Sequence, residues 1–359
     1  MSGMKIKRIT AVILGILMIV AVLTACGSTT NDRAEEGPGG AAEFPMTVTD
    51  QLGNEVTIEA PAERIVSSYY ISSSICIALG LADNLVATEE RIEERPFYHL
   101  TAPQLIGEID VGSPKAFDLE ACLAAEPDLV ILPKKAKDYA TTLTEMGIQT
   151  IVINPESHEQ LVEMVKLIGA VTGTDETASA LIARYDNILD KASVLTSGLA
   201  DEDKPAVYMC GVNSYLTTAP KDMYQASLVR AAGGKNAADE IEGDAWTDIS
   251  YEQFLAMNPD VILIPTNNMA NGQPDYTAEE VMSDPQLAEV TAVRNRAVYN
   301  MPVGFEPWDS PVPSGVLGML WMIATLYPDT YSMEEFAQEA ADFYQTFYGF
   351  EMDTTELIN

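Results

Sequence analysis

Histidine is nearly absent: the 359 residues contain two, His99 in a loop and His158 in the first turn of a helix that reads as surface. That excludes a metal centre built from several imidazoles and leaves little room for a triad with a histidine base. Positive charge is scarce as well, with 20 Lys and Arg against 54 Asp and Glu and a formal charge of −34. A chain this acidic does not hold a phosphate backbone in any general way, so no nucleic-acid partner is expected, nor does it lie unaided on an anionic membrane. Cysteine stops at four. Cys76, Cys122 and Cys210 sit in apolar runs as small hydrophobes, and an odd remainder does not make a full disulfide framework, although one bridge stays open. No Gly-x-Ser-x-Gly elbow, His-Glu-x-x-His zinc motif or Gly-rich phosphate loop is found, which removes the common signatures of hydrolases and nucleotide enzymes.

What is present begins at the amino end. Lys5, Lys7 and Arg8 precede a charge-free apolar run, Ile9 to Leu23, and then Leu23-Thr24-Ala25-Cys26. This is the pattern of a bacterial lipoprotein signal, residues 1–25, with Cys26 taking the lipid. The run falls short of the ~20 residues that a spanning helix needs. Residues 26–43 are poor in apolar side chains and read as a flexible tether. Loss of three cations with the signal takes the mature charge to −37 (−34 − 3). The folded part is expected to begin near Phe44, outside the cytoplasmic membrane.

The organising stretch is Ser157 to Gly198. Ser157 with Gln160 opens one helix, whose apolar face holds Leu161, Val162, Val165 and Ile168 and which Gly173 stops. Thr174 caps a second, with Asp175 and Glu176 in its first turn. Ala178, Leu181, Ile182, Tyr185, Ile188, Leu189, Ala192 and Leu195 recur at spacings of three and four. A helix from Asp175 to Ser197 is about 35 Å long, enough to serve as a strut between two lobes.

The halves on either side echo each other. Glu120 to Pro133 aligns without a gap on Glu252 to Pro265, matching Leu123 with Leu255, Pro127-Asp128 with Pro259-Asp260 and Pro133 with Pro265. Each copy reads as a short helix, a Pro-Asp turn and a continuous apolar strand of the kind a parallel sheet buries on both faces. Around them lie the strands Arg64–Ser67, Leu85–Ala87, Thr150–Ile153, Ala206–Met209 and Ala297–Asn300. Helices read over Ser72–Leu79, Tyr139–Met146, Asp222–Ala232, Ser314–Tyr327 and Ser332–Tyr348, and a hairpin over Val48–Ile58. The expectation is an α/β protein of two Rossmann-like lobes with mainly parallel sheets: residues 44–170, a connecting helix at 171–200, and residues 201–359. Ligands of such sheets bind beyond the carboxyl ends of the strands.

The lipobox, Thr49 to Thr57, Pro61 to Val66, Ala78 to Leu81 and the Pro-Asp-Leu-Val-Ile strand together resemble the helical-backbone solute-binding proteins of ABC importers for iron–siderophores, haem and cobalamin, over about residues 46–350. The resemblance implies two lobes joined by one long helix, a ligand in the cleft between them and modest closure. It also implies a permease dimer with its ATPase as partner, docked by a glutamate on each lobe, at the positions of Glu120 and Glu252. A monomer without a resident cofactor is expected, the metal arriving inside the ligand.

Candidate ligand residues follow the strands. In the first lobe they are Tyr69 and Tyr70, then Ser72 with Ser73 and Ser74 at a helix start that suits an anion, then Arg91, and Lys134 with Lys135. In the second they are Tyr215, Trp246, where the resembling family often places an aromatic contact, and Asn267 with Asn268. The loop Val303 to Asp309 adds Phe305, Glu306 and Trp308. Aromatic faces suit a flat macrocycle or a catecholate chelate. An iron–siderophore is the first ligand expected and haem or cobalamin the second, tyrosine being able to serve as a haem ligand. A ligand sensor on the same cleft, or an extracytoplasmic enzyme using Glu306 and Asp309, are the readings of other classes.

Overall fold

The computed structural model describes residues 43–155, 157–243, 245–266, 274–302 and 305–358. The signal expected at 1–25, Cys26 and all but Glu43 of the tether expected at 26–43, and Asn267 with Asn268, lie outside the described residues. Among those described, no helix is long and apolar enough to cross a membrane.

Two separate parallel sheets carry the fold. The first has five strands in the order Ile109–Asp110, Leu85–Thr88, Ile65–Ser67, Leu129–Pro133, Gln149–Ile153. The second has four, Lys235–Asn236, Ala206–Met209, Val261–Ile264, Val298–Asn300. An antiparallel hairpin, Met46–Thr49 with Glu55–Ile58, flanks the first sheet. Its turn is held by Asp50, whose Oδ1 accepts the Leu52 and Asn54 N–H groups, while Oδ2 accepts Val152 N–H from the sheet edge.

Strand alternation divides the core. In Leu129–Pro133, Leu129 and Ile131 face the large shared core, whereas Val130 and Leu132 face a separate outer cluster with Val66 and Val152. In the second sheet Val207, Met209 and Leu263 join the shared core, and Tyr208, Cys210, Ile262 and Ile264 form the outer cluster. Period two on strands buried on both faces produces this division. Cys76, Cys122 and Cys210 are free and buried.

The shared core is helical. His158–Thr172 ends at Gly173, in the left-handed region at φ 70°, and Asp175–Thr196 follows as the strut. Ser157 Oγ accepts Gln160 N–H as expected. Thr174 does not cap by its side chain; its hydroxyl pairs with that of Thr172 at 2.8 Å. The strut buries Ala178, Leu181, Tyr185, Ile188 and Ala192; it packs on the preceding helix His158–Thr172, where Ala178 faces Gly169, and on the apolar helix Gly315–Leu326, whose residues Gly315 to Ala324 are all buried. The last long helix, Met333–Tyr348, has a full capping box at Ser332 and Glu335. It is fastened to the strut through Glu339, which pairs with Arg184 at 2.8 Å and Lys191 at 2.7 Å. It also reaches the first lobe, where Tyr348 stands edge-on to Phe97 at 5.2 Å. The described residues from Glu43 onward form one compact unit.

The repeat is structural. Asp118 and Ser250 cap the matching helices Leu119–Ala124 and Tyr251–Met257. Both helices end at matching left-handed residues, Glu126 at φ 49° and Asn258 at φ 40°. Glu120 and Glu252 are both exposed in the first turns.

Candidate functional site

The first strand of the first lobe delivers Ser68-Tyr69-Tyr70 to its carboxyl end, where Tyr69 becomes the residue before helix Tyr70–Ala78. The repeated strand delivers Pro133 and Lys134, and the edge strand delivers Ile153, Asn154 and Pro155. From the other lobe come Met223, Tyr224 and Gln225 at the start of helix Tyr224–Ala231, Trp246, Thr266, and the loop Pro307 to Pro311. These residues enclose a cleft of about 600 Å³. That is the size range of sites for drug-sized organic ligands, at the place where parallel sheets bind.

Five of the expected ligand residues meet there: Tyr69, Tyr70, Lys134, Lys135 and Trp246. The two tyrosines are half-buried and stand edge-to-face at 5.0 Å. Tyr70 donates to Ser310 Oγ across the lobes at 3.1 Å. Burial pushes its hydroxyl up to about 12, against the opposing effects of Ser310 and Arg95, so it stays a neutral donor. Arg95 lies 5.3 Å from the Tyr70 ring centre and is itself held by Glu89 at 2.7 Å. Trp246 is 38% exposed, an aromatic face left open at the rim. Lys134, Lys135 and Lys137 are exposed along the first-lobe wall, a local positive strip on a very acidic protein.

The other expected residues go elsewhere, and the reasons are local. Ser72 is fully buried: its hydroxyl pairs with Ser67 Oγ at 2.7 Å and Tyr69 O at 2.9 Å, and Ser73 donates to Glu89 at 2.6 Å. The serines thus tie the helix to the sheet behind it. Arg91 sits in a left-handed turn, exposed, and is paired with Glu94 through Nε at 2.7 Å, away from the cleft wall. Tyr215 donates to Asp284 at 2.8 Å and packs edge-on to Tyr276 with the outer cluster of the second lobe. Phe305 stacks parallel to Trp308 at 6.3 Å and packs on the shared core. Trp308 is 1% exposed and donates Nε1–H to Tyr344. Glu306 is buried too, its Oε2 accepting Tyr348 O–H at 2.7 Å and Ser314 N–H at 3.2 Å. Burial raises the Glu306 carboxyl, with those donors opposing the shift. His158 is not a free surface residue either; its ring lies 5.2 Å from that of Tyr224, and burial lowers its pKa.

Tyr224, Gln225 and Asn154, which no sequence signal marks, line the cleft, and so does Asp309, expected only as a partner of Glu306 in the enzyme reading. The loop direction that brings Asp309 to the cleft follows from two glycines. A Cβ at Gly315 would stand 2.1 Å from Ser310 O, and one at Gly318 would stand 2.1 Å from Trp308 O. The 308–310 backbone therefore lies directly on the apolar helix, Trp308 points into the core, and Asp309 lines the cavity.

Two lobes, each with a parallel sheet aimed at a common cleft and joined by one continuous helix, define a two-lobed solute-binding protein. The profile described as periplasmic binding protein matches residues 65–303, and the chain belongs to that family, whose members serve ABC importers. It is 23% identical over 337 residues to an uncharacterised ABC transporter substrate-binding lipoprotein, YvrC, of Bacillus subtilis, covering 90% of this chain and 99% of that one. It is 25% identical over 327 residues to the molybdate-binding protein MolA of Haemophilus influenzae, covering 84% and 90%. The molybdate-bound structure of MolA superposes with a TM-score of 0.76 at 21% identity, covering 86% and 99%. A cobalamin-binding protein of Halobacterium salinarum is 26% identical over 264 residues, covering 72% and 67%.

Proposed function

We propose that this protein is a monomeric, lipid-anchored extracytoplasmic receptor that captures a metal chelate, an iron–siderophore foremost, and delivers it to an ABC permease dimer with its ATPase. The observation that carries this reading is the cleft itself: about 600 Å³, with Tyr69, Tyr70 and Trp246 offering aromatic faces and Lys134, Lys135 and Lys137 offering positive charge. Ferric catecholates are anionic, flat-sided and of drug-like size, and each of those properties has a partner here. The metal travels inside the ligand, so no protein imidazole is needed. Attachment through Cys26 fits both the lipobox and the name of the Bacillus relative.

A second reading is a bare oxyanion. The lysine strip at the cleft favours an anion of any kind, and one relative binds molybdate by name. Cobalamin, the ligand named for the archaeal relative, and haem are the remaining candidates for the same cleft. One titration separates them. Trp246 fluorescence and melting temperature are followed with a ferric catecholate, a ferric hydroxamate, haem, cobalamin and molybdate. A ferric siderophore is expected to quench and to stabilise. A response to molybdate alone selects the oxyanion, and no response to any chelate ends the proposal.

A further inference from the structure

The floor of the cleft differs in chemistry from its rim. Asp309 is 4% exposed and Tyr224 is 2% exposed, and both line the cavity. Asp309 Oδ1 and the Tyr224 hydroxyl have no hydrogen-bond partner among the described residues. Buried polar atoms in folded proteins are almost always paired, so two orphans lining one cavity mark a place where a partner is missing. Gln225, 6% exposed and neutral, also lines the cavity and acts to lower the Asp309 carboxyl. Tyr70 and Ser310, already bonded to each other, close the other side.

We propose that Asp309 and Tyr224 form a polar subsite that takes a hydrogen-bond-donating cationic group of the ligand, an ammonium or comparable N–H donor, while the lysine strip of the first lobe takes its acidic part. The cargo is therefore amphoteric. The inference rests on the cleft being the ligand site and goes further by naming a second charged end. Two physical facts support it. Burial pushes the Asp309 carboxyl up to about 7, held down only by its own backbone and Gln225, so the free site lacks a countercharge. Burial, with Asp309 adding to it, likewise lifts the Tyr224 hydroxyl well above its ordinary value, leaving it neutral and able to act as a second acceptor. A ligand ammonium would satisfy both oxygens at once, and a charge-assisted hydrogen bond in a closed site is strong. A ligand lacking the group would leave them desolvated and unpaired, which is the stronger source of discrimination.

The test uses the full chain in detergent and two probes: a ferric catecholate bearing one free primary amine, and the same chelate N-acetylated. Trp246 quenching reads affinity. The amine form is expected to bind at least tenfold tighter. Asp309→Asn should bring the two within about twofold, mainly by weakening the amine form, and Tyr224→Phe should narrow the gap partway. Lys134→Ala should weaken both probes alike. Equal binding of the two probes to the unaltered protein, or an undiminished preference in Asp309→Asn, overturns the subsite while leaving the receptor reading standing. Binding of neither probe overturns the catecholate reading and the subsite with it. The unliganded Asp309→Asn protein should melt no lower than the unaltered one at pH 8. A fall of several degrees would mean that the carboxylate is paired within the fold, and would also overturn the subsite.

Discussion

Asp128 and Asp260 occupy matching places in the two lobes and make the same bond. Asp128 accepts the Glu63 and Arg64 N–H groups at 3.0 Å, and Asp260 accepts Ala206 N–H at 2.8 Å, each at the start of the first strand of its own sheet. In return, Asp128 N–H donates to Arg64 O and Asp260 N–H to Ala206 O. The Pro-Asp repeat is thus a clip that fixes where the central strands begin.

Removing either clip, Asp128→Ala or Asp260→Ala, should cost about 1–2 kcal/mol, since the bonds are charge-assisted but exposed. The sites are in different lobes and share no partner, so the double variant should be additive within about 0.5 kcal/mol. Urea unfolding of the four proteins measures both numbers.

The two tryptophans should separate stability from binding. Trp308→Ala empties a fully buried position and should cost about 3–5 kcal/mol. Trp246→Ala, at the open rim, should change stability by less than about 0.5 kcal/mol yet weaken capture of a ferric siderophore several-fold. Chemical denaturation beside fluorescence-independent calorimetric titration distinguishes them.

Gly315→Ala should act at a distance. The added methyl meets Ser310 O at 2.1 Å and the Tyr224 hydroxyl at 3.2 Å, so the Pro307–Pro311 wall must move off the apolar helix. Overpacking of this kind costs about 1–3 kcal/mol. Ligand affinity should fall as well, although residue 315 is not itself on the cleft wall, and calorimetry reads both losses.

Asp309 should leave a signature in the pH dependence of stability. Its carboxyl is raised from an ordinary 3.8 to about 7 in the fold. Between those values the folded chain keeps a proton that the unfolded chain has lost. The stability contributed by this residue is then full below about pH 4, falls as pH rises to 7, and is level above. At about 1.4 kcal/mol per pKa unit the ceiling is about 4 kcal/mol. Asp309→Asn should remove the decline, measured by urea midpoints at pH 5, 6, 7 and 8.

Glu120 and Glu252 are exposed at matching first turns, with their helices capped in the same manner. Were they the permease-docking residues that the resemblance implies, Glu120→Ala with Glu252→Ala should cut transport more than tenfold while leaving ligand affinity and melting temperature unaltered. Uptake at the normal rate would assign both to ordinary helix-start stabilisation.

The architecture was readable because it is written in periods. Strands buried on both faces give apolar runs, the strut gives spacings of three and four, and the doubled Pro-Asp unit shows two lobes. The site was half readable. Tyr69, Tyr70 and Lys134 follow from strand ends, where direction is set by the sheet. Phe305, Glu306, Trp308 and Asp309 lie in a loop with no period, and which of them faces the cleft depends on how closely Gly315 and Gly318 let that loop approach a helix. Ser72 looked like an anion-binding helix start, but the hydroxyls of Ser67 and Ser72 satisfy each other.

The helix Met333–Tyr348 lies near the end of the chain yet lends Tyr348 to Phe97 in the first lobe. Synthesis and any passage through a secretion pore proceed amino end first. The early half therefore waits, with part of its apolar surface uncovered, until the final stretch arrives to seal it. Truncation by a few dozen residues at the carboxyl end would strike the lobe made first.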